Sequence, residues 1–154
     1  MNRLGDITAA AAAIPEPPLE RGQARYRAAT RPFLQGWLDK ELGERRYAGS
    51  ILVIGELLQD APAADKGLLT FYLGEAYRRR GLNDDRALAA SHYAQAITLP
   101  GVPAAAWREH GFARRAAGDS AGARLALQRY LAEAPKAEDR AFVQRELDKL
   151  GGTP

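Results

Sequence analysis

Apolar side chains recur at helical spacing along most of the chain, from about Leu19 to Leu150. They return every three to four residues and are separated by polar and charged positions, which is the pattern of amphipathic helices. Glycine and proline interrupt this pattern at wide intervals, as turns between helices would. The sequence has no run of alternating β-branched residues and no Asn-Gly or Asp-Gly hairpin signal. The pattern therefore predicts an all-α chain.

The first 19 residues have a different composition. A run of five alanines is followed by three prolines, at positions 15, 17 and 18. Such a cluster does not fit inside a helix, because each proline lacks a backbone donor and clashes with the preceding turn. We therefore expect residues 1–19 to form a flexible arm and residues 20–150 to form the helical domain.

Two pairs of glycines indicate an internal repeat. Gly74 and Gly81 are seven residues apart, as are Gly111 and Gly118, and the two pairs are offset by 37 residues. Each pair precedes an Ala- and Leu-rich stretch that ends at a proline. A spacing of this size is typical of helix–turn–helix repeats, which stack because one helix pair cannot bury its apolar face alone. Gly74 and Gly111, which lack a Cβ, would let the second helix of each pair approach closely.

The residues around these glycines resemble the tetratricopeptide repeat (TPR), a helix pair of 34 residues. The unit that begins at residue 67 matches the motif at Leu73, Gly74, Tyr77, Gly81, Ala89, Tyr93, Ala96 and Pro100. The unit that begins at residue 104 matches it at Trp107, Gly111, Gly118, Ala123, Leu127 and Pro135. His110 and Arg114 depart from the motif, and these departures concern the tightness of packing rather than the repeat itself.

A less regular copy precedes these two units, so the resemblance implies units at about residues 31–64, 67–100 and 104–137. The stretch 138–150 carries four apolar residues on one side, Phe142, Val143, Leu147 and Leu150, and ends at two glycines. It is the expected capping helix, which would close the exposed side of the last unit. The implied fold is a TPR-like α-solenoid, a right-handed superhelical stack of antiparallel helix pairs.

Residues suited to catalysis are sparse. The chain has no cysteine, and its two histidines, His92 and His110, fall in different units. The sequence contains no HExxH, no Gly-x-Ser-x-Gly and no phosphate-binding loop. Ser91 and His92 are adjacent, so on a helix they would point about 100° apart and could not form a dyad. We predict no catalytic site, no metal site and no cofactor.

Charge and hydropathy argue against a nucleic-acid partner and against a membrane-spanning segment. The 22 basic and 19 acidic residues interleave, whereas a nucleic-acid-binding protein usually carries a clustered basic face. No apolar run approaches the length of a membrane span. The N-terminus lacks the strongly apolar core of a secretion signal, so the expected location is the cytoplasm by default, or the periplasm if a signal peptide has been removed. The richness in alanine and arginine indicates a bacterial source.

The resemblance to TPR proteins implies a concave groove lined by the first helix of each unit. The groove-facing positions of the motif correspond here to Gln35, Asp39, Leu68, Phe71, Tyr72, Glu75, Arg78, Arg79, Arg108, Phe112 and Arg115. Exposed aromatic side chains beside arginines have the composition of protein-binding hot spots. The implied function is a non-enzymatic scaffold for a protein or peptide segment with apolar anchors and some acidic character.

Three alternatives stay open at this stage. Phe71, Tyr72 and Phe112 could instead be ordinary core, covered by the arm or by a helix near residues 21–30. The chain could be an accessory module of a larger bacterial assembly, because Gly-Glu-Ala-Tyr-Arg at 74–78 and a later Pro-x-x-x-Asp-Arg are similar to tails that follow bacterial zinc-peptidase domains. It could also be a self-assembling structural module, that is, a homo-oligomer.

Overall fold

A computed structural model describes residues 33–151 of the chain. The predicted arm over residues 1–19 and the segment near 21–30 lie outside these residues. The described part contains helices and no strand, which confirms the all-α prediction. The helices are α1 over residues 33–43, α2 Tyr47–Asp60, α3 Ala63–Arg80, α4 Asp85–Ala96, α5 Ala105–Ala116, α6 Ser120–Glu133 and α7 Arg140–Gly151.

The helices pack as successive antiparallel pairs followed by a single helix. The closest packing joins α3 to α4 and α5 to α6, and each pair also contacts its neighbours through α2–α3, α4–α5 and α6–α7. Leucines of α1 share a buried cluster with Ile54 of α2, so these two helices form the first pair. In an α-solenoid each repeat packs against the repeats next to it along the chain, and these helix pairs follow that pattern.

Two glycines end the first helices of the second and third pairs. Gly81 and Gly118 have φ angles of 65° and 85°, in the left-handed region that glycine adopts without steric cost. The N–H of Gly81 donates to the carbonyl of Tyr77 at 3.0 Å, which closes the last turn of α3. After Gly118, the carboxylate of Asp119 accepts a hydrogen bond from the N–H of Gly122 at 2.8 Å and caps α6. The repeated glycine spacing therefore sets where each first helix ends.

The other glycine of each repeat lies at the contact between the two helices of a pair. A Cβ at Gly74 would lie 2.7 Å from Cε1 of Tyr93, and a Cβ at Gly111 would lie 2.8 Å from Cδ2 of Leu127. Both distances are shorter than carbon atoms tolerate, so any larger residue would push α4 away from α3, or α6 away from α5. This confirms that the two glycines permit close approach of the second helix.

The capping helix α7 differs in one respect from the prediction. Val143 and Leu147 are buried against Leu127, Tyr130 and Leu131 of α6, as expected of a helix that closes the stack. Phe142 is 46% exposed, so the assignment of this residue to the buried side of the helix is wrong. The reason is geometric, because Phe142 lies about 100° around the helix from Val143, which is on the buried face.

Candidate functional site

The first helices of the pairs and α7 contact one another through their side chains. A hydrogen bond joins α3 to α1, and ion pairs join α3 to α5 and α5 to α7. These contacts are, in chain order, Tyr72 with Asp39, Arg78 with Glu109 at 3.4 Å, and Arg115 with Glu146 at 2.8 Å. We call the surface that α1, α3, α5 and α7 form together the inner wall. It is the surface on which the sequence places partner binding.

Three predicted groove residues, Leu68, Phe71 and Tyr72, are buried, so the expectation that they are exposed is wrong. The ring of Phe71 packs at 5.3 Å from that of Tyr72 and at 6.0 Å from that of Tyr93. Burial raises the pKa of Tyr72, and its hydroxyl donates to Asp39 of α1. Phe71 and Tyr72 are thus core residues, as the alternative interpretation held, whereas the arm and the segment 21–30 that it placed over them lie outside the described residues.

Glu75 is also buried, beneath the inner wall rather than on it. One oxygen accepts from the hydroxyl of Tyr93 at 2.6 Å, and the other accepts from Arg78 at 2.9 Å and from Arg79 at 3.0 Å. Burial alone would raise the pKa of this carboxyl, but the hydrogen bond and charge of Arg78, with smaller contributions from Tyr93 and Arg79, hold the pKa below its ordinary value. Glu75 is thus a charged structural residue and was wrongly predicted to face the groove.

The remaining predicted residues do lie on accessible parts of the inner wall. Gln35 and Asp39 are exposed on α1, whereas Arg78, Arg79, Arg108, Phe112 and Arg115 are partly exposed along α3 and α5. Arg78 and Arg108 both contact Glu109, which brings these two predicted residues together. Phe112 and Arg115 form a second group nearer α7, with the guanidinium of Arg115 4.9 Å from the ring centroid of Phe112.

The four arginines predicted to line the groove all have carboxylate partners. Arg78 and Arg79 share Glu75, and Arg78 also reaches Glu109, as described above. Arg108 lies 2.8 Å from Asp139, the residue before α7, and Arg115 lies 2.8 Å from Glu146 of α7. An acidic partner would therefore have to compete with these pairs rather than meet unpaired cations.

A pair of aromatic rings, one exposed and one partly buried, lies at the C-terminal end of the inner wall. The rings of Phe112 and Phe142 are 6.3 Å apart with an interplanar angle of 58°. Sequence reasoning identified Phe112 but missed Phe142, which it assigned to the core. A signal in the sequence could have shown that Phe142 is not a core residue. Val143 and Leu147 are four residues apart and define the buried face of α7, and Phe142 lies beside that face.

The two histidines are packed against aromatic rings. His92 stacks on Tyr77 with ring centroids 5.4 Å apart, and His110 meets Trp107 edge-on at 6.4 Å. Burial lowers the pKa of both imidazoles, which favours the neutral form of each. Within residues 33–151, no three His, Asp or Glu side chains are grouped as metal ligands. None of the helices in this range combines the length and apolar character that crossing a bilayer requires.

Comparisons with known proteins place this arrangement among TPR structures. No protein-family model matches the chain. The chain is similar to a TPR repeat-containing protein of Pseudomonas aeruginosa, with 39% identity over 80 residues that make up 52% of this chain and 73% of that protein. Its fold is similar to the NMR structure of the first TPR domain of the human RPAP3 protein, with a TM-score of 0.62, 20% identity, and coverage of 78% of this chain and 91% of that one. The predicted α-solenoid fold is therefore confirmed.

Proposed function

Because the chain belongs to the tetratricopeptide repeat family, we propose that it is a scaffold that binds a segment of a partner protein on its inner wall. Proteins of this family are in general non-enzymatic modules for protein–protein interaction. The observation that carries the proposal is the aromatic pair at the end of the wall, in which the exposed Phe142 packs against the partly buried Phe112.

The aromatic pair supplies what a binding hot spot needs. Large side chains that become fully buried in a complex contribute most of the binding energy, and aromatic residues are enriched among them. Phe142 still has 46% of its surface to bury, and Phe112 is held in place beneath the guanidinium of Arg115. A partner side chain inserted against both rings would bury apolar surface without displacing an ion pair.

In this proposal the charged residues of the inner wall contribute less to the binding affinity than the aromatic pair. Arg115 and Arg79 are already paired with Glu146 and Glu75. Exchanging the carboxylate partner of Arg115 brings little net gain, since exposed ion pairs contribute about 0–1 kcal/mol, and the partner of Arg79 is the buried Glu75, which an incoming acid would have to displace. The arginines then set the orientation of the bound segment, and the apolar anchor sets the affinity. The preferred partner is a segment whose large apolar side chain is flanked by polar residues.

The proposal predicts a large effect of Phe142→Ala on partner binding. After a partner has been recovered from native cells with the wild-type protein, its affinity is measured by isothermal titration calorimetry. We expect Phe142→Ala to weaken binding at least tenfold, about 1.4 kcal/mol or more. The matched control is Leu52→Ala, which truncates a side chain that is 66% exposed on α2, a second helix outside the inner wall. The control should bind as tightly as the wild type.

Two results would contradict the proposal that the inner wall binds a partner through the aromatic pair. If a Phe112→Ala, Phe142→Ala double variant binds the partner with unchanged affinity, the aromatic pair is not the anchor. If sedimentation of the free protein at several concentrations shows an oligomer that Phe142→Ala dissociates, the pair serves self-assembly instead. Circular dichroism of each variant shows whether the helices are intact, which we expect for Phe142→Ala because Phe142 is about half exposed.

A further inference from the structure

The third helix pair has an open recess on the face away from the inner wall. It has a volume of about 560 Å³, and we call it the outer recess. Its lining includes Trp107, His110 and Arg114 of α5 and Leu125, Ala126 and Arg129 of α6. Successive residues of a helix are about 100° apart around its axis. On α5, Trp107, His110 and Arg114 therefore point to one side, and Phe112, which faces the inner wall, points roughly 160° away from their mean direction. The two surfaces are therefore on opposite sides of α5.

The outer recess exists because two rings that fill the second pair are missing in the third. In the second pair, Tyr77 of α3 stacks on His92 of α4 with centroids 5.4 Å apart. The repeat alignment places Arg114 at the position of Tyr77 and Ala126 at the position of His92. Arg114 turns toward solvent, about half exposed, and Ala126 is too small to replace a ring. The departure of Arg114 from the motif thus leaves an unfilled space rather than a repacked core.

The walls of this space combine an aromatic ring with two cations. The guanidinium of Arg129 lies over the ring of Trp107 at 4.8 Å from its centroid. Arg114 lies across the recess on α5, and the side chain of Leu125, 69% exposed, lies on the α6 side. A volume of this size accommodates a large side chain and the backbone on either side of it. The lining selects an aromatic or large aliphatic group with a negative charge beside it.

Neither cation is held strongly by its own carboxylate. Arg114 lies 3.5 Å from Asp119, and that carboxylate is already engaged by the N–H of Gly122 as the cap of α6. Arg129 pairs with Glu133 one turn further along the same helix, and both side chains are exposed. Exposed pairs of this kind contribute little to stability, so both guanidiniums can turn toward an incoming carboxylate at little cost.

We infer that the outer recess is a second protein-binding site, which takes a partner segment with an aromatic side chain next to an acidic residue. The aromatic ring occupies the space between Trp107 and Ala126 that the Tyr77–His92 pair fills in the preceding repeat. The acidic side chain binds to Arg114 and Arg129. The site favours a protein segment over a free small molecule, because its exposed rim leaves one side of any occupant in solvent. It operates independently of the inner wall.

A tryptophan reporter tests this inference directly. The chain has two tryptophans, so Trp37→Phe leaves Trp107, in the wall of the recess, as the fluorescent reporter. The probe is the blocked pentapeptide Gly-Glu-Phe-Glu-Gly. The matched peptides are Gly-Lys-Phe-Lys-Gly, which reverses the charge, and Gly-Glu-Ala-Glu-Gly, which removes the ring. We expect a saturable change in Trp107 emission with the probe and at least tenfold weaker binding of both matched peptides.

Variants on both sides of α5 complete the test. Arg114→Gln with Arg129→Gln should weaken probe binding at least tenfold, and these exposed positions leave the fold intact. Arg114→Tyr with Ala126→His, which rebuilds the pair of the second repeat, should abolish binding without lowering thermal stability. Phe142→Ala, on the inner wall, should leave probe binding unchanged. Equal binding of the lysine peptide, absence of any saturable change at millimolar probe, or loss of binding in Phe142→Ala would each overturn the inference.

Discussion

Gly67→Ala is expected to lower the free energy of unfolding by about 2 kcal/mol, although alanine is the better helix former. Gly67 lies in α3 against the connection between α4 and α5, where its N–H donates to the carbonyl of Pro100 at 3.0 Å. A Cβ at this position would lie 2.6 Å from the backbone nitrogen of Val102 and closer still to the Pro100 oxygen. Both obstacles are backbone atoms, so no change of side-chain rotamer relieves the overlap.

Two opposing terms set the size of this effect. Replacing glycine by alanine inside a helix contributes about 1 kcal/mol of stability. Overpacking a close contact costs about 1–3 kcal/mol and occasionally more, and the cost is at the upper end when backbone must move. The steric term wins, and the contact that holds the second pair to the third is loosened.

The free energies of unfolding of Gly67→Ala and Gly55→Ala are measured in urea. Their difference gives the cost of the steric overlap at position 67, because the gain in helix propensity is common to both variants. Gly55 lies in the interior of α2, and a Cβ there would meet nothing within 4 Å. We expect Gly55→Ala to raise the free energy of unfolding by roughly 0.5–1 kcal/mol through helix propensity alone. If both variants are stabilised to the same extent, the packing of α3 against the α4–α5 connection is looser than described above.

Glu75→Gln is expected to destabilise the protein by about 2 kcal/mol at neutral pH. The substitution keeps the shape of the side chain but removes the charge that Arg78 and Arg79 share and weakens the acceptor of the Tyr93 hydroxyl. Hydrogen bonds to charged groups contribute about 1.5–3 kcal/mol each in buried sites. The control is Glu133→Gln, which removes one exposed pair with Arg129 on α6 and should change stability by less than about 0.5 kcal/mol.

The same variant is expected to flatten the acid side of the stability profile. The pKa of Glu75 in the folded protein is held below its ordinary value of 4.5, so the unfolded chain binds the proton more readily than the folded chain. The stability that this provides is complete above pH 4.5 and is lost as the pH falls through the folded pKa. Urea unfolding at a series of pH values should therefore show a shallower loss below pH 4.5 in Glu75→Gln than in the wild type.

The stability profile of Glu75→Gln must be compared with that of the wild type, because other carboxyl groups also make the protein less stable at acidic pH. Hydrogen bonds from arginine or lysine side chains hold the pKa values of Asp85 and Glu146 below their ordinary values. Their contribution is common to the wild type and the variant and cancels in the difference. Parallel profiles would show that Glu75 does not titrate in the folded protein as its partners imply.

Local signals in the sequence were sufficient for the repeat. Gly81 and Gly118 end helices because glycine adopts positive φ, and Gly74 and Gly111 lie at helix contacts because they lack a Cβ. Each of these properties belongs to one residue and its spacing, so it can be recognised without knowing the neighbours. The departure of Arg114 from the motif was also informative, since an open recess lies where the motif residue is missing.

Exposure could not be predicted in the same way. Leu68, Phe71, Tyr72 and Glu75 follow one another at spacings of three, one and three residues, which describes one face of a helix but not what lies against it. In the folded protein that face is buried, and the acid among these residues is neutralised by arginines three and four positions later. The position of Phe142 beside the buried face of α7 is the opposite case, an apolar residue that remains exposed.

The sequence alone determined that this chain is a stack of helix pairs with a capping helix, because turn residues, glycine contacts and apolar spacing are local properties of the chain. Only the tertiary structure decided which side chains are accessible. Burial depends on helices that are distant in sequence, as when Glu109 reaches Arg78 and Phe142 meets Phe112. For that reason the fold could be derived from the motif, whereas the exposure of each side chain on the inner wall could be read only from contacts between helices.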